Sequence, residues 1–170
     1  IKTGENMTVE APTNVTYNGQ SQQEKPVVKD GEKTLAEGTD YTLSYSKDTT
    51  NVGTVTVTVT GKGNYSGSAD VEYQILKRSV VLESATDSKP YDGTALTRPN
   101  VTVEGDGFVD GEVTNVRATG SVTTVAEGEV VNTIVYDEGV NFKASNYDIT
   151  KKEGKLSITA LSAEDGLVIT

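Results

Sequence analysis

Carboxylates are the only side chains in this chain with a claim on acid–base chemistry. Histidine and cysteine are both absent from its 170 residues. Ser–His–Asp and Cys–His nucleophiles are therefore excluded, as are imidazole and thiolate metal sites. Asp and Glu together number 25, but most stand beside glycine in turn-like stretches. Glycoside hydrolysis needs two carboxyls facing each other across a substrate cleft, and a succession of turns does not build one. The densest acidic stretch is Asp106-Gly107-Phe108-Val109-Asp110-Gly111-Glu112. Calcium takes about six to eight oxygens, often from one loop plus carbonyls. Here the alternate-position acids of an EF-hand are missing, and Asp-Gly turn chemistry accounts for the same residues. No catalytic, cofactor-binding or metal-ligating residue is expected, and no cofactor.

Tyrosine carries most of the aromatic content, with eight Tyr, two Phe and no Trp. Exposed Tyr can stack sugars. Tyr17, Tyr65, Tyr91 and Tyr147 are instead expected to pack over module ends, their hydroxyls bonding backbone. A Lys–Asn or Lys–Asp crosslink is a further chemical possibility, although spacing identifies no pair. Intact mass tests it directly, since each crosslink releases ammonia or water.

The elements that must position these groups are β-strands. Val55-Thr56-Val57-Thr58-Val59-Thr60 alternates strictly, which puts Val on one face and Thr on the other. Both types are β-branched and suit a pleated, half-buried surface. Tyr41-Thr42-Leu43-Ser44-Tyr45 and Val71-Glu72-Tyr73-Gln74-Ile75 alternate likewise. Val101-Thr102-Val103, Thr133-Ile134-Val135-Tyr136 and Leu156-Ser157-Ile158 repeat the pattern further along. Asn18-Gly19, Asp30-Gly31, Glu37-Gly38, Asp92-Gly93, Asp110-Gly111 and Glu138-Gly139 mark the reversals between strands. No ten-residue window has helical apolar spacing. The expectation is an all-β or mainly β chain.

The sequence also repeats itself. Val15-Thr16-Tyr17-Asn18-Gly19 returns as Lys89-Pro90-Tyr91-Asp92-Gly93, and Gly63-Asn64-Tyr65 as Ser145-Asn146-Tyr147. Each half closes on an alternating strand, Val71–Ile75 and Lys155–Thr159. An internal period signifies an array of modules, which provides length or multivalent display more readily than a catalytic pocket. We expect two β-rich modules, residues 1–77 and 78–160, with 161–170 a tail or the start of a further module. No flexible linker separates them, so the junction is expected to be stiff.

Charge narrows the partners. The formal net charge of -10 argues against nucleic acid, which requires clustered Lys and Arg, and against an anionic membrane surface. No stretch approaches the roughly 20 apolar residues of a membrane span. The opening residues Ile1-Lys2-Thr3-Gly4-Glu5 lack the apolar region of a signal peptide. Export and anchoring signals are expected to lie outside this sequence. A mutually repelling, soluble monomer is expected.

Several motifs in fixed order carry a resemblance to known repeats. Tyr17-Asn18-Gly19, Gly38-Thr39-Asp40-Tyr41 and Gly61-Lys62-Gly63-Asn64-Tyr65-Ser66-Gly67 resemble a bacterial surface repeat. Tyr91-Asp92-Gly93, Gly105-Asp106-Gly107-Phe108-Val109-Asp110-Gly111-Glu112, Asn132-Thr133-Ile134 and Asn146-Tyr147-Asp148-Ile149-Thr150 resemble the YDG repeat. Val125-Ala126-Glu127-Gly128-Glu129-Val130-Val131 departs from that pattern. The resemblance covers most of residues 8–160. It implies modules with an Ig-like sandwich fold, or alternatively a β-grasp-like one. It also implies a secreted or wall-anchored protein at the surface of a Gram-positive bacterium, and supplies no catalytic residues. The function expected is a non-enzymatic stalk or spacer whose partners are neighbouring repeat modules. The alternative is an adhesin module that binds a host glycan, mucin or matrix protein.

Overall fold

A computed structural model of the chain describes residues 7–162. The expectation for the 161–170 tail falls, from 163 onward, outside the described residues. The chain divides into two units between Arg78 and Ser79. Both are β throughout: among the described residues the only helical turns are short 3-10 turns at Val125–Glu127 and Ala144–Asn146. The mainly β expectation holds.

The first unit contains β1 (Met7–Glu10), β2 (Val15–Thr16), β3 (Val27–Asp30), β4 (Lys33–Thr34), β5 (Tyr41–Tyr45), β6 (Gly53–Gly61) and β7 (Ser68–Leu76). They form two sheets, ordered β1-β3-β4 and β2-β7-β6-β5. The Val/Thr alternation of β6 works as a period of two requires. Val55, Val57 and Val59 are fully buried, while Thr54 and Thr60 are exposed. Each buried Val contributes about 1.5–3 kcal/mol relative to an exposed one. Both sheets feed one core. Val28 of β3 and Leu35 meet Tyr41 of β5 and Val59 of β6, with Val9, Leu43, Tyr65 and Ala69 packed around them.

The second unit contains β8 (Arg78–Ser84), β9 (Asp87–Pro90), β10 (Leu96–Thr97), β11 (Val101–Gly105), β12 (Val113–Ala118), β13 (Ser121–Val122), β14 (Val130–Val131), β15 (Ile134–Glu138), β16 (Tyr147–Lys152) and β17 (Lys155–Thr159). Its sheets are small: β11-β8-β16, β14-β17-β9, β12-β15 and β10-β13. Leu96, Val122, Leu156 and Ile158 form a core with Val130 against it. Val80, Leu82 and Ile134 are also fully buried. Register shifts between Thr114 and Arg117 in the β12–β15 ladder. Asn115 sits at that irregularity with φ 55°, a left-handed conformation that Asn tolerates better than most residues.

Two closures organise the units. In the first, β2 runs parallel to β7, with Val15 opposite Ile75 and Thr16 opposite Leu76. In the second, β9 runs parallel to β17, from Asp87 opposite Leu156 to Pro90 opposite Thr159. Each unit thus pairs an early strand with the last of its described strands, in the same direction.

Candidate functional site

The acidic stretch 106–112 does not converge. Asp106 Oδ2 accepts the Ser79 N–H at 3.4 Å, and Glu112 Oε1 accepts the Tyr147 hydroxyl at 2.7 Å. Asp110 is exposed, whereas Glu112 is 5% exposed. Among the described residues no group of three or more acids is placed to hold a metal ion. The glycines of the stretch are used for backbone approach. Gly105 has φ +77°, and a Cβ there would lie 2.8 Å from the Ser79 carbonyl oxygen. The Asp106 and Gly107 N–H groups donate to that same oxygen at 2.8 and 3.2 Å.

Phe108 anchors the stretch. Its ring lies 5.3 Å from both Tyr136 and Tyr147 and 6.2 Å from Phe142. Phe142 stacks on Tyr147 at 5.5 Å, and Lys151 Nζ sits 5.3 Å above the Tyr136 ring. The Tyr147 hydroxyl also accepts the Val109 N–H at 3.1 Å. The loop is held by an aromatic cluster and one hydroxyl. Burial raises the Tyr136 pKa, with the Glu138 charge adding to it.

The four repeated tyrosines have different fates. Tyr17 and Tyr147 are buried at 3% exposure each. Tyr65 is half-buried and donates to Asp30 Oδ2 at 3.0 Å. That bond, followed by burial, raises its pKa. Tyr91 is 43% exposed. The expected bonding of hydroxyl to backbone is found at Tyr147, through the Val109 N–H, and at two further residues. Tyr45 donates to the Glu24 carbonyl at 2.8 Å. Tyr73, at 2% exposure, donates to the Gln22 carbonyl and accepts the Glu24 N–H at 3.2 Å. Both pin the irregular segment before β3. Alternation places Tyr73 on a core face, but the long loop it binds is not visible in sequence.

The repeated Tyr-x-Gly motif builds the same turn twice. Asn18 Oδ1 accepts the Gln20 N–H at 2.9 Å, and Asp92 Oδ1 accepts the Thr94 N–H at 2.9 Å. The following glycines match, with φ 81° at Gly19 and 80° at Gly93. Gly is favoured there because positive φ costs it nothing. In the second turn Asp92 also accepts the Thr94 hydroxyl at 2.7 Å and Lys89 Nζ at 3.1 Å. The Thr94 hydroxyl, then its N–H, then Lys89 draw the Asp92 pKa down to about 2. This carboxyl is a structural acceptor.

A buried asparagine knots the second unit. Asn132 is fully buried. Its Nδ2 donates to the Arg98 and Ala85 carbonyls at 2.9 and 3.2 Å, and its Oδ1 accepts the Gly120 N–H at 3.0 Å. Its backbone carbonyl accepts the Ser84 hydroxyl at 2.6 Å, which in turn accepts the Gly154 N–H at 2.9 Å. A Cβ on Gly120 would come within 2.7 Å of Asn132 Oδ1, so only glycine fits beside the amide.

Lys25, Lys89 and Lys155 pair with Glu37, Asp92 and Glu129 at 2.9–3.3 Å. Lys151 donates to the Ile134 carbonyl at 3.2 Å. The pairing with Glu37 raises the Lys25 pKa. Among the described residues no helix is long and apolar enough to cross a membrane. Compared with known family models and with curated protein sequences, the chain matches none.

Proposed function

We propose that this chain is a non-enzymatic spacer segment of a secreted or wall-anchored bacterial surface protein. Its immediate partners would be neighbouring modules of the same protein. The observation that carries this reading is the parallel closure present in both units. Two parallel strands enter at one end of their ladder and leave at the other. A unit closed this way takes the chain in and gives it out at opposite ends of that ladder, so each added unit can add length. The buried polar groups supply further support. Asn132, Ser84 and Tyr73 spend their capacity on backbone, and Asp92 is held ionised by its own turn. The motifs singled out in the sequence serve turns and closures. The duplicated turns at Asn18 and Asp92 are compatible with the Ig-like or β-grasp-like repeat modules that the sequence resembles.

Small-angle scattering on residues 1–170 tests the reading. A compact chain of this length has a radius of gyration of about 15–16 Å. A spacer should exceed that clearly, and a value in that range refutes it.

The adhesin reading rests on one specific feature, the exposed ring of Tyr91. A row of exposed Tyr would favour it more strongly. Of the four repeated tyrosines, however, two are buried and one is half-buried. A glycan array with mucin and matrix proteins separates the two readings: saturable binding weakened by Tyr91→Ala would favour the adhesin.

A further inference from the structure

The two parallel closures share more than direction. In each unit the residue just before the opening strand extends the ladder with its side chain. Asn14 Oδ1 accepts the Gln74 N–H at 2.9 Å, one step before Val15 faces Ile75. Thr86 Oγ1 accepts the Lys155 N–H at 3.1 Å, one step before Asp87 faces Leu156. At the far end the repeated Tyr finishes the ladder in both. The Tyr17 N–H donates to the Leu76 carbonyl at 2.9 Å, and the Tyr91 N–H to the Thr159 carbonyl at 2.9 Å. The two sequences differ between these points, yet the start, direction and finish of the ladder coincide.

From this geometry we infer that each closure is a shear clamp that carries tension along the chain. A pull toward the N-terminus draws the opening strand backward. A pull toward the C-terminus draws the closing strand forward. For parallel neighbours these displacements run along the ladder in opposite senses, so its hydrogen bonds are loaded together. An antiparallel closure would bring both loads to one end and open bond by bond. In the second unit the strand entering from upstream is also held. β8 pairs with β11 over five register positions, from Val80 opposite Gly105 to Ser84 opposite Val101. It continues into β9 through Ala85 and Thr86 alone. The clamp of the second unit is the longer one, with four register pairs against two. The first unit should therefore yield at lower force. This inference deepens the spacer reading and rests on it.

Single-molecule force measurement on the full chain tests it. No native cysteine exists, so introduced thiols fix the points of attachment. Pulling from the two ends loads the clamps in shear. Pulling between Ser88→Cys and Lys155→Cys, both on exposed positions near the start of the second ladder, peels the same ladder open. The expected result is an unfolding force several-fold lower in the peeling geometry. Thr86→Ala should lower the force of the second, stronger end-to-end event and leave the first event unchanged. Equal forces for the second unit in the two geometries overturn the clamp, as does a second end-to-end event that ignores Thr86→Ala. A saturable ligand in the binding screen would instead overturn the spacer reading while leaving the force ratio intact, so the two failures are distinguishable.

Discussion

Replacing Asn132 with Ala should destabilise the second unit and leave the first untouched. The amide makes three hydrogen bonds, to Gly120 N–H and to the Arg98 and Ala85 carbonyls, from a site with no exposure. A buried group left without a partner costs about 1–3 kcal/mol. The Gly120 N–H, on a buried residue, loses the partner that its neighbourhood was built around. Arg98 and Ala85 are exposed residues, so water can partly replace the amide at their carbonyls. Together these losses amount to about 3–5 kcal/mol, a large share of the roughly 5–15 kcal/mol that stabilises a small domain. For a unit of this size each kcal/mol shifts Tm by about 4–8 °C, so its transition should fall by more than about 10 °C. Urea denaturation followed by residue-resolved NMR reads both units at once, and the first unit serves as the internal control. Asn132→Asp sharpens the argument. It keeps the acceptor for Gly120 but turns an oxygen toward two carbonyls. Its carboxyl should bind a proton more tightly folded than unfolded. The damage should therefore shrink as pH falls below the raised folded-state pKa and be complete above it. A loss under about 1 kcal/mol for Asn132→Ala, well below the cost worked out here, would refute the reasoning, as would equal loss in both units.

Three further outcomes follow from the same structure. Tyr73→Phe keeps the buried ring but frees the Gln22 carbonyl and Glu24 N–H; thermal unfolding of the first unit should show a loss of about 1–3 kcal/mol, and no loss would contradict the anchoring role. Gly105→Ala meets both a φ of +77° and the Ser79 carbonyl at 2.8 Å, whereas Gly38→Ala meets a φ of +89° and open space; the first should cost more than the second, whose left-handed strain alone is about 1–2 kcal/mol, and a reversed order in calorimetry would count against the close approach. The Asp92 carboxyl should titrate near about 2 by NMR; because its folded pKa is depressed, the stability it contributes is present above the unfolded carboxylate pKa and is lost as pH falls through about 2, and Thr94→Ala should move the midpoint upward.

The parts of this fold that sequence predicts well are those where local period and burial agree. Tyr41–Tyr45 forms a strand over the bounds its alternation suggests, and the Val face of β6 is wholly buried. Other elements were invisible because they have no period to show. β10, β13 and β14 are two residues long, and their partners lie far along the chain. In the stretch Val125–Val131 a 3-10 turn and Gly128 at φ 71° precede β14, and neither has a sequence period. Asn132 is a residue type usually found on surfaces, and only its long-range partners explain its burial. The acids of 106–112 are neighbours in sequence but not in space, because Glu112 turns inward to Tyr147 while Asp110 stays outside. The mainly β character was legible; the parallel direction of the closures, fixed by residues about 60–70 positions apart, was not.

Pairing an early strand with the last one also fixes when each unit can finish folding. During synthesis β2 has no partner until β7 has left the ribosome, and β9 waits for β17. Such non-local pairings form slowly, and an unpaired strand is prone to wrong association while it waits. A chain interrupted anywhere before its final strand therefore holds an open edge and not a shorter version of the unit. Completion of each unit therefore waits on the strand that closes it.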